Sequence, residues 1–195
     1  MANHTVTFPI SDPQEILKLR AGDEVTVQGH IIGIRDRTQI RIFDEGVEPP
    51  MDLRGAFLLH TAPGVRKLDN GRYEKVCIGT TTSARMVRFT EPLGRQYGVR
   101  AICGKGGFPD EAIAPMTELG MVYFAIVGGA AALETTQIEE IEEVMWEELM
   151  PECLWKFRVK DFGPLTVGID AHGNSLYHDV QTAAQEKLKE IFARL

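Results

Sequence analysis

The chain has 195 residues, 44% of them hydrophobic and 25% charged, with a formal net charge of −7. That size suits one well-cored domain and is too short for two ordinary ones, so a single domain over residues 1–195 is expected. The acidic balance argues against a general nucleic-acid grip, which needs clustered basic residues to displace counterions. No apolar run approaches the roughly 20 residues of a membrane span, and no basic segment followed by an apolar one opens the chain, so a cytoplasmic protein is the default expectation.

In chain order, Val6–Phe8 reads as a strand ended by Pro9, and Ser11-Asp12-Pro13 as a helix start with Ile16, Leu17 and Leu19 facing inward. Glu24–Ile34 is expected as a strand around Gly29, and Asp36–Glu45 as a helix with Ile40 and Phe43 as core contacts, closed by Gly46 and Pro49-Pro50. Ala56–Leu59 is a short, fully apolar run, the pattern of a strand buried on both faces, and Val99–Cys103 and Met121–Val127 read as two more buried strands. The first is followed by a turn at Ala62-Pro63-Gly64, and the others end in Gly104-Lys105-Gly106-Gly107 and Gly128-Gly129. Helices are expected over Thr82–Tyr97, interrupted near Pro92-Leu93-Gly94, and from Pro109 to Leu119. Gln137–Glu148 sets Ile138, Ile141, Met145 and Leu149 at helical spacing among six glutamates, which predicts an amphipathic helix with a solvated acidic face. Leu154–Lys160 and Leu165–Ile169 read as a pair of strands, and His178–Leu195 as the last helix. The middle of the chain repeats buried strand, glycine-rich loop and helix. This predicts an α/β fold with a parallel central sheet and added antiparallel strands, with ligands at the strand C-termini.

Three segments carry candidate chemistry. In Ile78-Gly79-Thr80-Thr81-Thr82-Ser83-Ala84-Arg85-Met86, four hydroxyl residues precede an arginine at an expected helix N-terminus. This is either an anion site gripped by Arg85 or an ordinary helix cap. Cys103-Gly104-Lys105-Gly106-Gly107 lacks phosphate-loop spacing and reads as a cationic loop open to a ligand or as a flexible turn. Arg35-Asp36-Arg37 follows a strand end and, taken alone, fits a surface ion pair. Arg35, Arg85 and Lys105 all sit at expected strand-to-helix junctions, where they would converge on a small dianion. His60, beside Thr61 at a buried strand end, is the histidine to watch. Cys77, Cys103 and Cys153 stand at unrelated spacings, the pattern of free thiols, with no metal box.

Arg35-Asp36, Gly79-Thr80-Thr81-Thr82-Ser83-Ala84-Arg85-Met86 and Gly104-Lys105-Gly106-Gly107, in this order, resemble the markers of the β subunit (or C-terminal domain) of class I iron–sulfur fumarate hydratases and L-tartrate dehydratases. The similarity extends from about Leu19 through Trp155–Phe162. The resemblance implies a three-layer, swivelling β/β/α domain and a hydro-lyase acting on a four-carbon dicarboxylate, fumarate/malate ahead of tartrate. It further implies a hetero-oligomer in which a separate α subunit holds a four-iron–four-sulfur cluster through three cysteines, its open iron acting as a Lewis acid. By motif, Arg35, Arg85 and Lys105 would bind carboxylates together with Thr81 and Thr82, and Thr81 would be the catalytic residue beside the carbon that loses its proton. The chain departs from the family pattern at Gln39, where histidine is usual, at Thr80, where proline is usual, and at Ala84, where glycine is common. A non-catalytic dicarboxylate- or anion-binding module of the same fold is the alternative.

Overall fold

The computed structural model describes residues 1–128 and 131–193. Gly129, expected to end a buried strand, and Leu195, expected to end the last helix, lie outside the described residues. The elements in order are β1 (Asn3–Phe8), α1 (Gln14–Leu17), β2 (Glu24–Ile34), α2 (Asp36–Phe43), β3 (Phe57–His60), β4 (Gly64–Lys67), β5 (Tyr73–Cys77), α3 (Thr90–Tyr97), β6 (Ala101–Gly104), α4 (Ile113–Leu119), β7 (Val122–Ala125), α5 (Ala131–Glu134), β8 (Ile138–Met145), β9 (Leu154–Ile169) and α6 (Leu176–Phe192). The fold is mixed α/β: a seven-stranded sheet in the order β1-β2-β3-β6-β7-β9-β8 and a separate antiparallel pair, β4-β5.

β1, β2, β3, β6 and β7 run parallel, as the alternation of strands and helices requires. β9 runs against them and pairs with both β7 and β2, so the sheet closes on itself through that one strand. The three short apolar strands are buried on both sides. Phe57, Leu59, Ala101, Cys103, Val122 and Phe124 enter one core with Phe8, Trp155, Phe157 and Phe162. Leu58, Ile102 and Tyr123 point the other way, into a second core beneath the helices with Ile42, Phe89, Leu93 and Met116. Alternation along each strand thus feeds two cores, which explains why Phe57–Leu59, Ala101–Cys103 and Val122–Phe124 are apolar on both faces.

Several expectations need correction. Gln137–Glu148 is no helix: Ile138–Met145 is β8, paired antiparallel with β9. Register shifts between Ile138 and Glu140 and between Ile141 and Glu143 each place an extra residue on β8. These bulges space the inward residues Ile138, Ile141 and Val144 three apart, and so imitate a helical period. Leu154–Lys160 and Leu165–Ile169 do not pair with each other, since they are two stretches of the single strand β9. The expected Thr82–Tyr97 helix is a 3₁₀ segment, Ala84–Phe89, leading into α3, where Pro92 falls in the first turn and is tolerated. Likewise a short 3₁₀ turn, Asp110–Ala112, precedes α4. In α2 it is Thr38, Gln39 and Ile42 that are buried, with Ile40 and Phe43 only partly covered. The hairpin β4-β5 was not anticipated. α6 starts two residues before His178, behind Ser175, whose side chain accepts from the His178 N–H at 3.3 Å.

Candidate functional site

The parallel register sets the C-terminal ends of β2, β3, β6 and β7 side by side. Arg35 follows β2, His60 ends β3 and Lys105 follows β6. The segment Thr80–Ser83 threads between two of these ends. Thr80 bridges Thr61 and Thr82 bridges Lys105. The Thr81 N–H donates to the His60 carbonyl at 2.8 Å, the Lys105 N–H to the Thr81 carbonyl at 3.1 Å and the Ser83 N–H to the Lys105 carbonyl at 3.0 Å. The hydroxyl run is therefore an extra rung laid across the sheet end.

No α-helix N-terminus presents these hydroxyls to an anion, contrary to one expectation, because the turn that follows is 3₁₀ and Ser83 makes no side-chain cap. Ser83 instead turns inward, with Oγ 2.9 Å from His60 Nδ1 and 3.1 Å from the Tyr123 hydroxyl. Gly104 lies directly beneath. A β-carbon there would collide with Ser83 Oγ, and would stand 3.2 Å from the Thr81 carbonyl oxygen and 3.3 Å from His60 Cβ. Only glycine lets the rung and the strand approach this closely. Gly106 and Gly107, with φ of 78° and 76°, then carry the chain through the left-handed region.

The charges are arranged around Asp36. Arg85 holds it with both arms of its fork, Nε to Oδ1 at 2.8 Å and Nη2 to Oδ2 at 2.7 Å. Arg35 Nε is 3.4 Å from the same carboxylate and 3.3 Å from Glu152 Oε1. Partial burial would raise the Asp36 carboxyl, but the Arg85 hydrogen bond and charge, helped by Arg35, hold it below the ordinary range. Arg85 also donates through Nη1 to the Thr82 carbonyl at 2.9 Å, and through Nη2 to Thr81 Oγ1 at 3.1 Å. Lys105 lies against Gly128, where a β-carbon would come within 2.9 Å of its Cδ and 3.4 Å of its Nζ. Arg35, Thr81, Thr82, Arg85 and Lys105 are thus linked through shared partners, whereas the Arg37 side chain pairs with Glu45 at 2.5 Å and only its backbone N–H reaches the group, donating to Glu152 at 2.7 Å.

The three positions that depart from the family pattern are accommodated differently. Gln39 is buried, with Nε2 3.4 Å from the Arg35 carbonyl and 3.0 Å from Met86 Sδ, while its Oε1 meets no partner. Thr80 donates to the Val127 carbonyl at 3.4 Å. Ala84 opens the 3₁₀ segment. Sequence reasoning missed Glu152, Ser83 as an inward residue, and Tyr123. The signal for Tyr123 was its single polar tip inside an apolar strand, which needs a hydrogen-bond partner when buried.

The described residues include no group of three His, Cys, Asp or Glu side chains placed to hold a metal ion. Cys103 is buried, which pushes its thiol well up. Cys153 is also buried and is pushed up to about 11, and Cys77 is exposed on β5. A cationic edge of this kind can hold a small anion of two carboxylates and stabilise negative charge that develops on it.

The Fumarase C-terminus family matches residues 4–180. The chain is 41% identical over 177 residues to the L(+)-tartrate dehydratase subunit beta of Escherichia coli strain K12, covering 88% of this chain and 85% of that protein. It is 36% identical over 190 residues to a Methanocaldococcus jannaschii protein provisionally given the same name, covering 95% and 97% of the two chains. A Geobacillus stearothermophilus protein, provisionally named class I fumarate hydratase, is 36% identical over 187 residues, which span 95% of this chain but 36% of that longer one. With its parallel strand ends, its Thr80–Arg85 rung and a match running from His4 to Val180, the chain belongs to the Fumarase C-terminus family.

Proposed function

We propose that this chain is the β subunit of a hydro-lyase that adds water to, or removes it from, a four-carbon dicarboxylate in partnership with an α subunit. The observation that carries this proposal is the linked group at the strand ends, in which Arg85 joins Asp36 and Thr81 while Arg35 and Lys105 flank it. In the proposal Arg35, Arg85 and Lys105, with Thr82, hold the two carboxylates. Thr81 faces the carbon whose proton is exchanged. Arg85 Nη2, 3.1 Å from Thr81 Oγ1, favours the oxyanion of that hydroxyl, which by itself is a poor base near neutral pH. Removing a proton next to a carboxylate leaves charge on that carboxylate, and the fixed cations stabilise it without reorganising.

The names of the relatives speak of a subunit beta, which supports an α partner and a hetero-oligomer. The family class implies a four-iron–four-sulfur cluster. The thiols described here do not fit such a group, so in this proposal the α subunit carries it and no step is routed through it from this chain. We take residues 1–195 as one domain of the swivelling β/β/α kind, a view supported by the sheet that closes through β9. Among the described residues no helix is long and apolar enough to cross a membrane, and the three cysteines are unpaired, both compatible with a cytoplasmic setting.

The test is to purify the chain anaerobically with and without the α subunit and assay dehydration of malate and of L-tartrate. Activity only in the mixture, lost in air, is the expected result and ranks the two substrates. A mixture with an intact cluster that dehydrates neither, yet binds dicarboxylate, would replace this proposal with the non-catalytic binding module.

A further inference from the structure

Beneath the cationic edge lies a closed circuit of hydrogen bonds. The Thr81 N–H donates to the His60 carbonyl, the Lys105 N–H to the Thr81 carbonyl and the Ser83 N–H to the Lys105 carbonyl, at 2.8, 3.1 and 3.0 Å. The circuit returns from Ser83 to His60 through side chains, Oγ to Nδ1 at 2.9 Å. Three of the four links are main chain, so the His60–Ser83 contact is the one link that a side chain decides. Gly104 fills the middle, where a β-carbon would meet Ser83, Thr81 and His60.

The Tyr123 hydroxyl donates to Ser83 Oγ at 3.1 Å; its alternative acceptor, the Gly107 carbonyl, is 3.5 Å away. The Ser83 hydroxyl and His60 Nδ1 share one hydrogen that either can donate, so the contact holds in either imidazole tautomer. Nε2 is enclosed and meets no partner. His60 and Ser83 are 1% and 0% exposed, and burial, opposed by the Asp36 charge and aided by the Arg85 charge, pushes the imidazole down to about 3, so it is neutral.

We infer that His60 is a positioning residue that acts through Ser83 to hold Thr81 and Lys105 in register at the mouth of the site. The inference rests on the function proposed above in taking Thr81 and Lys105 as substrate-facing. It predicts that only the Nδ1 side of the ring matters. His60→Asn, whose side-chain amide puts a polar atom in the place of Nδ1, keeps the circuit. His60→Gln, whose amide reaches the Nε2 position instead, opens it, as does Ser83→Ala.

In the assembled α/β complex, His60→Gln and Ser83→Ala are expected to lower kcat/KM for dehydration by about 10²-fold, the scale of a misplacement near 1 Å. The double variant should be no worse than either single one, since both open the same link. His60→Asn should stay within about fivefold of wild type, the scale of one adjusted neutral hydrogen bond. Losses that multiply in the double variant, or a folded His60→Asn as impaired as His60→Gln, would overturn the assignment. A second measurement is independent of activity. Amide hydrogen exchange on the chain alone should speed up at Ser83 and Lys105 in His60→Gln, but not in His60→Asn, with the core amide of Val122 unchanged. A wild-type complex inactive on every dicarboxylate would sink the proposed function, while the exchange pattern would still decide for or against the circuit. Equal exchange in the two variants sinks the circuit itself.

Discussion

Where β8 meets β9, Arg158 faces Glu139, Glu140 and Glu142, and Lys156 faces Glu142 and Glu143, a ladder of ion pairs on an exposed sheet surface. At the ends of β2, β3 and β6, Arg85 meets Asp36 through a bidentate fork, above a buried histidine, serine and tyrosine. The two regions use the same residue types to different ends. In the ladder each cation has several interchangeable carboxylates, water screens the pairs, and losing one partner leaves others in place. At the strand ends Arg85 grips Asp36 with both arms while also donating to Thr81 and Thr82, over a glycine-cleared backbone, so its position is fixed before any ligand arrives. Number of charges does not distinguish a binding edge from a solvated face; what lies beneath them does.

The largest expected effect breaks the strand-end side of this contrast. Arg85→Ala or Lys105→Ala should lower turnover of the assembled enzyme by about 10²- to 10³-fold, as measured by steady-state kinetics, with the circular-dichroism spectrum unchanged. Wild-type turnover in either folded variant would remove the cationic edge from the chemistry. Next, Gly104→Ala drives a methyl group into Ser83 and should lower activity by about 10²-fold, together with about 1–3 kcal/mol of stability read from urea denaturation.

A smaller effect separates buried from exposed carboxylates. Asp170 is fully enclosed and accepts from the N–H groups of Ala21, His172 and Asn174 and from the Asn174 side chain, at 2.8 to 3.0 Å. Burial alone would raise its carboxyl, but these donors hold it below its ordinary value of 3.8. Because the folded value lies below the unfolded one, its contribution is fully present above about pH 4 and is lost as pH falls through the depressed value. Asp170→Ala should therefore cost about 1–3 kcal/mol at neutral pH and flatten the acid limb of the stability curve. The smallest effect tests the ladder: Arg158→Ala should leave both the denaturation midpoint and turnover at their wild-type values. A clear loss of either would show that the ladder supports something beyond its own surface.

The same contrast explains what the sequence disclosed. The buried parallel strands were legible because Phe57–Leu59, Ala101–Cys103 and Val122–Phe124 are apolar on both faces, and no competing period interferes. The strand-end candidates were legible because glycines and cations recur at those junctions. β8 was not, because two bulges give it a helix-like spacing, and acidic residues on a strand are recognisable only beside Lys156 and Arg158 on its neighbour. Nor could local pattern show that Leu154–Ile169 is one strand: Gly163 and Pro164 read as a break, while its continuity is set by partners on β2 and β7. The pairing of Asp36 with Arg85 joins residues 49 apart in sequence, and no spacing announces it.

The closure of the sheet through β9 bears on how the chain acquires its shape. Glu24 registers with Thr166 and Gly33 with Trp155, so one flank of β2 must wait for residues made long after it. Contacts of such long sequence separation are entropically expensive to initiate and slow to form. During translation β2 can already join β1 and β3, yet its other flank remains an open template for unrelated strands. β9 fastens that flank long after β2 is made, and the interval between them is when a nascent chain of this design is most exposed to misassembly.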